Sequence, residues 1–390
     1  MEAENELNKN EPDNTIPIIP DSTIPGTVSK QDLENTIKDI TQNFHTKPED
    51  IAEYIKFSSR FYNYSTRNTM LIYKQNPGAL FCGSFKRFKD MGYSVLKGQH
   101  GMKILVPTQK TYLELTKNEF MTYAKKYRLN VNPQATSFRI PLSVASKEHK
   151  AAYKNGNIKG KKILVFKVGT VFDIAQTNIP EADYPKYLGI GVNSDRHKEL
   201  YDLLVKYNQD KLNVSVKENQ LQSVALRGYY APKDNSITIS GSFNDTARLS
   251  ILSHETGHAQ LHSFPEALNR PTPQVEFEAD CFSIMFSTYV GVEVAETRCR
   301  HLTDCYKEMT RLKDFKPEML QQSLNRAQQA FKSVVNYVNP ILHPELAGSV
   351  TPSAQTQAPS SDPTGESIAP AEPILPNQLS EMGGFTMSLM

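Results

Sequence analysis

Apolar residues recur at helical spacing from residue 31 onward, with Leu33, Ile37, Ile40 and Phe44 on one face. Pro48 opens a second helix carrying Ile51, Tyr54, Ile55 and Phe57. Ser65 or Thr66 caps a short helix that runs to Gln75 and is stopped by Asn76-Pro77-Gly78. Lys97-Gly98-Gln99-His100-Gly101 reads as a glycine turn between two strands, the second carrying Ile104, Leu105 and Val106. Such a turn is either a plain tight hairpin or a place where backbone N–H groups and Lys97 approach a phosphate. From Lys110 to Lys162 the pattern fades into a lysine-rich stretch with Tyr123, Tyr127 and Tyr153, an insertion to which no role is assigned. Periodicity returns as a helix over 194–207. The run 224–231 then alternates as a strand, 232–235 turns, and 236–240 returns. A helix over 245–263, capped by Asn244 or Asp245 and ended by Pro265, precedes another with Thr272 as its cap and Pro273 at its first position. Beyond Gly291, Leu302, Tyr306, Met309 and Leu312 share a face, and a last helix covers about 316–337.

Helices and short strands in this order predict an α+β chain. A chain of 390 residues with 38% hydrophobic content can bury more than one core. We expect two domains, over 30–180 and 190–340, flanked by disordered segments at 1–29 and 344–390. The first segment is polar and punctuated by Pro12, Pro17, Pro20 and Pro25, and the last is rich in Pro, Ser, Thr, Gln and Ala. A formal net charge of +2 says little until its distribution is known. No stretch approaches a membrane span and the acidic start is no signal peptide, so a cytoplasmic protein with no membrane partner is expected. Cys82, Cys281, Cys299 and Cys305 form no Cys-x-x-Cys pair and are expected to stay reduced and structural.

The chemistry concentrates in His254-Glu255-Thr256-Gly257-His258. On a helix, residues four apart share a face, so His254 and His258 can close on one metal ion with Glu255 beside it. Zinc held this way keeps a position for water and lowers its pKa, leaving Glu255 to take the proton. Downstream, Glu276 and Asp280 are again four apart. Glu276 is assigned as third ligand, with Glu278 as its rival. Asp280 is placed behind the ligands, accepting the free N–H of a ligating histidine.

His254 to His258, paired with Glu276-Phe277-Glu278-Ala279-Asp280-Cys281-Phe282, resembles the ImmA/IrrE-type minimal zinc peptidases, which belong with the gluzincins. The resemblance covers roughly residues 220 to 290. His262 falls too early for the longer metzincin pattern and is read as a helix-face histidine, with substrate contact as its lesser role. The hairpin before the zinc helix would present an edge strand to a peptide. On it, Tyr229 or Tyr230 either packs or hydrogen-bonds a developing oxyanion.

Between residues 51 and 110, Lys56, Arg60, Arg67, Lys74, Lys86, Arg87, Lys89, Lys97, Lys103 and Lys110 meet only Glu53 and Asp90. Tyr54, Phe57, Phe61, Tyr62, Tyr64, Tyr73, Phe81, Phe85, Phe88 and Tyr93 run through the same segment. Single-stranded DNA is held by such a mixture of cations and aromatic faces, although part of it must be core and part a solvated face.

The order of these residues is more telling. Phe61 to Pro77, Ser84 to Phe88, Gly92 to Pro107 and Val171 to Thr177 resemble successive blocks of the ArdC-type single-stranded-DNA-binding domain. Phe88 stands where that family has tryptophan, which this sequence lacks altogether. The resemblance implies an N-terminal DNA-binding domain, with Arg60, Tyr64, Arg67, Asn68, Lys74, Lys86, Arg87, Phe88, Lys97 and Lys103 as candidate contacts, followed by a zincin-like metallopeptidase domain. It further implies an antirestriction-type protein of a mobile element, with single-stranded DNA and an unidentified protein substrate as partners. Two alternatives are an ImmA-like regulatory peptidase that cleaves a repressor, and a DNA-binding protein whose zinc is purely structural.

Overall fold

The computed structural model describes residues 29–128, 131, 137–181, 184, 196–219, 227–263 and 269–342. The segments expected to be disordered, 1–29 and 344–390, lie outside these residues apart from Ser29. The fold is mixed α+β.

Helix α1 (Lys30–Thr46) buries Leu33, Ile37, Ile40 and Phe44, the stripe that its periodicity predicts. Helices α2 (Asp50–Ser58) and α3 (Thr66–Gln75) follow, and Ser65 caps α3 by accepting the Asn68 N–H. The short strand β1 (Cys82–Gly83) leads into α4 (Phe85–Asp90), whose cap is Ser84. Gly98 then turns the chain with φ +86, a left-handed conformation that glycine adopts at no steric cost. No regular strand leads directly into that turn, only an isolated bridge from Val95 to Thr177.

Strand β2 (Met102–Leu115) runs into α5 (Lys117–Tyr127), β3 (Phe138–Pro141), α6 (Lys147–Lys154) and β4 (Gly160–Asp173). The four strands pair in the order β1–β4–β2–β3. The stretch that looked unpatterned is therefore folded, around Leu113, Leu115, Phe120, Tyr123, Ala124, Ile140 and Ala145. Its helices are well capped, α5 by a Thr116–Glu119 capping box and α6 by Ser146. The Tyr123 hydroxyl accepts the Ser146 N–H at 2.8 Å and lies 2.8 Å from His149 Nδ1.

Helix α7 (His197–Leu212) precedes a sheet in which β5 (Ser215–Asn219) lies parallel to β7 (Ser236–Ser240) and β6 (Gly228–Ala231) antiparallel to it. The order β5–β7–β6 leaves β6 at an edge, and it packs on the next helix, α8 (Asp245–Leu261). Then come α9 (Thr272–Tyr289), α10 (Glu296–Thr310) and α11 (Pro317–Leu342). Helix α9 begins one residue earlier than expected, with Pro271 at its cap. Helices α2, α8, α10 and α11 all pack against α9, so it is buried along nearly its whole length.

The chain forms two compact units, Met1–Leu33 with Leu105–Gly169, and Glu34–Ile104 with Thr170–Met390. Helices α2 and α3 thus share a unit with α8 and α9, and these cuts fall elsewhere than the expected boundary between 180 and 190. Close approach of α8 and α9 depends on Gly257, where an added Cβ would stand 3.1 Å from the Ala279 Cα and 3.2 Å from its carbonyl oxygen.

Candidate metal centre

Helix α8 is unusual in burying its polar residues. Ser253, His254 and Thr256 are fully enclosed, and Glu255 and His258 are 3% and 5% exposed. A polar side chain enclosed in this way needs a partner. Ser253 shares a hydroxyl contact of 2.7 Å with Ser283 of α9, and Thr256 donates to the Leu252 carbonyl while accepting from Asn208 of α7. The histidines converge instead. His254 Nε2 and His258 Nε2 stand 3.1 Å apart, and the Glu276 carboxylate reaches them with Oε2 3.4 Å from the first and Oε1 3.6 Å from the second.

Glu276 Oε2 is buried and has no hydrogen-bond partner, since its approach to His254 lacks hydrogen-bond alignment. Two imidazole nitrogens and a carboxylate oxygen, all within 4.8 Å of one another, are a donor set suited to a divalent cation. A cation would also satisfy the orphaned oxygen. Burial alone would raise the Glu276 pKa, but the two imidazoles outweigh it and hold the carboxyl well below the usual range. Glu255 makes no side-chain hydrogen bond or ion pair among the described residues, and so its carboxylate is uncommitted.

Behind these three side chains lies a denser network. Asp280, fully enclosed on α9, places Oδ1 3.0 Å from His254 Nδ1. Arg298 Nη1 of α10 lies 2.8 Å from that nitrogen and 2.8 Å from Oδ1. Nδ1 can accept from Arg298 or donate to Asp280, not both. The tautomer that donates to Asp280 leaves the Nε2 lone pair free to bind a cation. Burial pushes the Asp280 carboxyl up, but Arg298, His254 and His301 together hold it far below its ordinary value. Burial and Arg298 oppose charge on His254, yet the Asp280 and Glu276 carboxylates leave its pKa raised.

His262 is buried, with Nδ1 3.1 Å from His258 Nδ1 and Nε2 3.2 Å from Glu278 Oε2. If His262 donates from Nε2 to Glu278, its Nδ1 accepts from His258 and turns the His258 Nε2 lone pair toward the centre. Glu278, the rival ligand, points away from the cluster. It is fully enclosed and accepts from Ser323 at 2.8 Å, from Gln274 and Arg270 at 3.2 Å each, and from Arg326.

Burial, more than the favourable Glu278 contact, pulls the His262 pKa down to about 4. The sign follows from linkage. Above its ordinary value of 6.5 the ring is neutral in both states; below it, the unfolded chain takes up a proton that the folded chain refuses. The metal-free chain is therefore expected to lose stability as pH falls from 6.5 toward 4. Melting temperature against pH checks this. In His262→Asn the decline should be shallower, and an identical decline would remove His262 as its source.

Arg298 and His301 of α10, neither of them among the candidates read from the sequence, complete this network: His301 Nδ1 lies 2.6 Å from Asp280 Oδ2. No local motif marks either residue. The spacing of His301 from Cys305 was the available signal.

The candidate DNA contacts divide. Lys74, Lys86 and Lys97 are exposed, and Arg60 and Asn68 are half-buried. Arg67 lies 3.6 Å from Glu34, a carboxylate outside the basic segment. Lys103 donates to the Thr170 hydroxyl at 2.8 Å, and the Arg87 guanidinium covers the Phe81 ring at 5.3 Å. Two of the expected aromatic contacts are core residues. Phe88 is fully buried among Phe81, Ile174 and Ile179, and Tyr64 is buried with its hydroxyl donating to the Cys82 carbonyl at 2.9 Å. Neither ring offers a face to a base. The neighbouring Phe85, 55% exposed beside Lys86, does. On β6, the Tyr230 hydroxyl donates to Asn235 Oδ1 at 3.1 Å and serves the turn. Tyr229 is half-buried.

These features define a mixed α+β chain with a buried two-histidine, one-glutamate cluster suited to a divalent cation. Residues 30–172 match the family model described as the N-terminal domain of anti-restriction factor ArdC, so this segment carries an ArdC-type N-terminal domain. It is 29% identical over 325 residues to an uncharacterized protein of Bacillus anthracis, covering 80% of this chain and 51% of that one. The chain thus spans about half the length of that curated relative. Two crystal structures of the antirestriction protein ArdC from plasmid R388 are also similar. The metal-free one has a TM-score of 0.40 and 14% identity over 71% of this chain and 86% of its own. The Mn(II)-bound one has a TM-score of 0.37 and 15% identity over 70% and 84%. Among the described residues, no helix is long and apolar enough to cross a membrane.

Proposed function

We propose that this chain is an antirestriction-type protein of a mobile element that binds single-stranded DNA and hydrolyses peptide bonds with zinc as its cation. The observation that carries the peptidase reading is the convergence of His254 Nε2, His258 Nε2 and the orphaned Glu276 Oε2 beside an uncommitted Glu255. A dication held by these atoms supplies Lewis acidity, making a water acidic and polarising a carbonyl. Glu255 takes the proton from the attacking water and passes it to the departing amine. Asp280 holds the Nδ1–H of His254, and Glu278 acts through His262 on that of His258, so both Nε2 lone pairs stay aimed at the cation. The edge strand β6, packed on α8, has no strand on its outer side among the described residues and would present that side to an extended peptide.

The DNA-binding half of the reading is supported by the ArdC-type domain and by exposed Lys74, Phe85, Lys86 and Lys97. Such an interface gains affinity from released counterions and from stacking. Fluorescence anisotropy of a labelled single-stranded oligonucleotide with the full chain should show log K falling linearly with log salt, and Lys86→Ala should flatten that slope. No binding even at low salt would end the DNA-protection reading and leave a peptidase whose basic surface meets a protein.

A further inference from the structure

Asp280 faces two clusters with its two oxygens. Oδ1 serves His254 and Arg298, whereas Oδ2 faces α10, where His301 Nδ1 lies 2.6 Å away. Cys305 Sγ stands 3.7 Å from Nε2 and 3.9 Å from Nδ1 of the same imidazole. One ligand atom from each of Asp280, His301 and Cys305 falls within 4.8 Å of the others. His301 and Cys305 are four apart on α10, the spacing that brings His254 and His258 together on α8.

We propose that Asp280, His301 and Cys305 form a second divalent-cation site, separate from the one at His254, His258 and Glu276. A thiolate, an imidazole and a carboxylate oxygen suit a borderline ion such as zinc rather than magnesium or calcium, which prefer oxygen alone. The thiolate and carboxylate together set two negative charges against the dication, and Arg298 on Oδ1 is the remaining positive charge beside it. Asp280 and Cys305 are buried while the His301 side chain is 32% exposed, giving the ion an entry path and a position for water. The same order of sulfur, imidazole and carboxylate also occurs around cysteine nucleophiles. Cys305 is 7% exposed, however, which denies an acyl substrate access to the sulfur. Bound there, the ion pins α10 to α9 through Asp280, and through Oδ1 it bears on the orientation of His254. The site stands on its own residues and does not require the peptidase reading.

The test is a Co2+ titration of the full chain after metal removal by chelator. Binding should approach two ions per chain, with a thiolate-to-cobalt charge-transfer band in the near ultraviolet that a two-histidine, one-glutamate site cannot give. Cys305→Ser and His301→Ala should each abolish the band and one bound ion. Glu276→Gln should lose the other ion and keep the band, so failure of the first site reads differently from failure of the second. Absence of the band, or its survival in Cys305→Ser, would overturn the proposal.

Discussion

Glu278→Ala is expected to destabilise the larger compact unit by about 3 kcal/mol, the low end for breaking a buried pair, because it strands two guanidinium groups whose side chains are only 24% and 28% exposed. The carboxylate sits fully enclosed and takes hydrogen bonds from Arg326, Arg270, Gln274, Ser323 and His262. Alanine removes the acceptor shared by all five donors and leaves two guanidinium groups without their carboxylate. Glu278→Gln keeps the volume and should fall between wild type and alanine. Urea unfolding at neutral pH measures the loss, and a change below about 1 kcal/mol would show that the arginines reach solvent instead.

The same carboxylate predicts acid sensitivity. Burial raises its pKa, but His262 and Arg326 lower it more, to about 2 against an ordinary 4.5. A group depressed in the folded state contributes its stability above the unfolded value and loses it as pH falls through the folded one. The Glu278 contribution is thus complete above pH 4.5 and disappears toward pH 2. Freed of Glu278, His262 no longer holds His258, and Zn2+ affinity should fall by about 10- to 100-fold.

On the proposed peptidase reading, Glu255→Gln is expected to lower peptide hydrolysis by about 10²- to 10⁴-fold, the usual worth of a positioned general base. Glutamine has nearly the same shape but cannot accept the proton from water. Glu255 lies outside the group formed by His254, His258 and Glu276, so Zn2+ binding should be unchanged. A fluorogenic peptide library reads the first quantity and calorimetric titration with Zn2+ the second. Full activity in the variant would eliminate Glu255 as the base. Loss of Zn2+ binding would instead make it a ligand. Glu276→Gln provides the contrast, since there both quantities should collapse together.

Much of this centre was legible in the residues themselves. His254 and His258 four apart on a capped helix, then Glu276 and Asp280 four apart on the next, specify two faces, and helical geometry makes each a local property. The stripe on α1 and the Ser65 cap on α3 were readable for the same reason. Chain order could not say which of Glu276 and Glu278 turns toward the histidines, because both are buried on α9 and differ only in which neighbouring helix they face.

Composition misled where burial decides. Phe88 and Tyr64 sit among lysines and arginines in sequence, yet their rings close a core with residues up to about ninety positions away. The stretch from Lys110 to Lys162 looked structureless because its core is spread thinly over two strands and two short helices. What the amino-acid order determined by itself was the helices, their caps and the ligand faces, since these depend on neighbours within a turn or two. Tertiary structure alone decided the pairing of Asp280 with Arg298 and His301, the line from Glu278 through His262 to His258, and the approach of α8 to α9 over Gly257. Apart from His258 and His262, which are four apart, those contacts join residues that no local periodicity relates, and only the packing of α8, α10 and α11 around α9 brings them within reach.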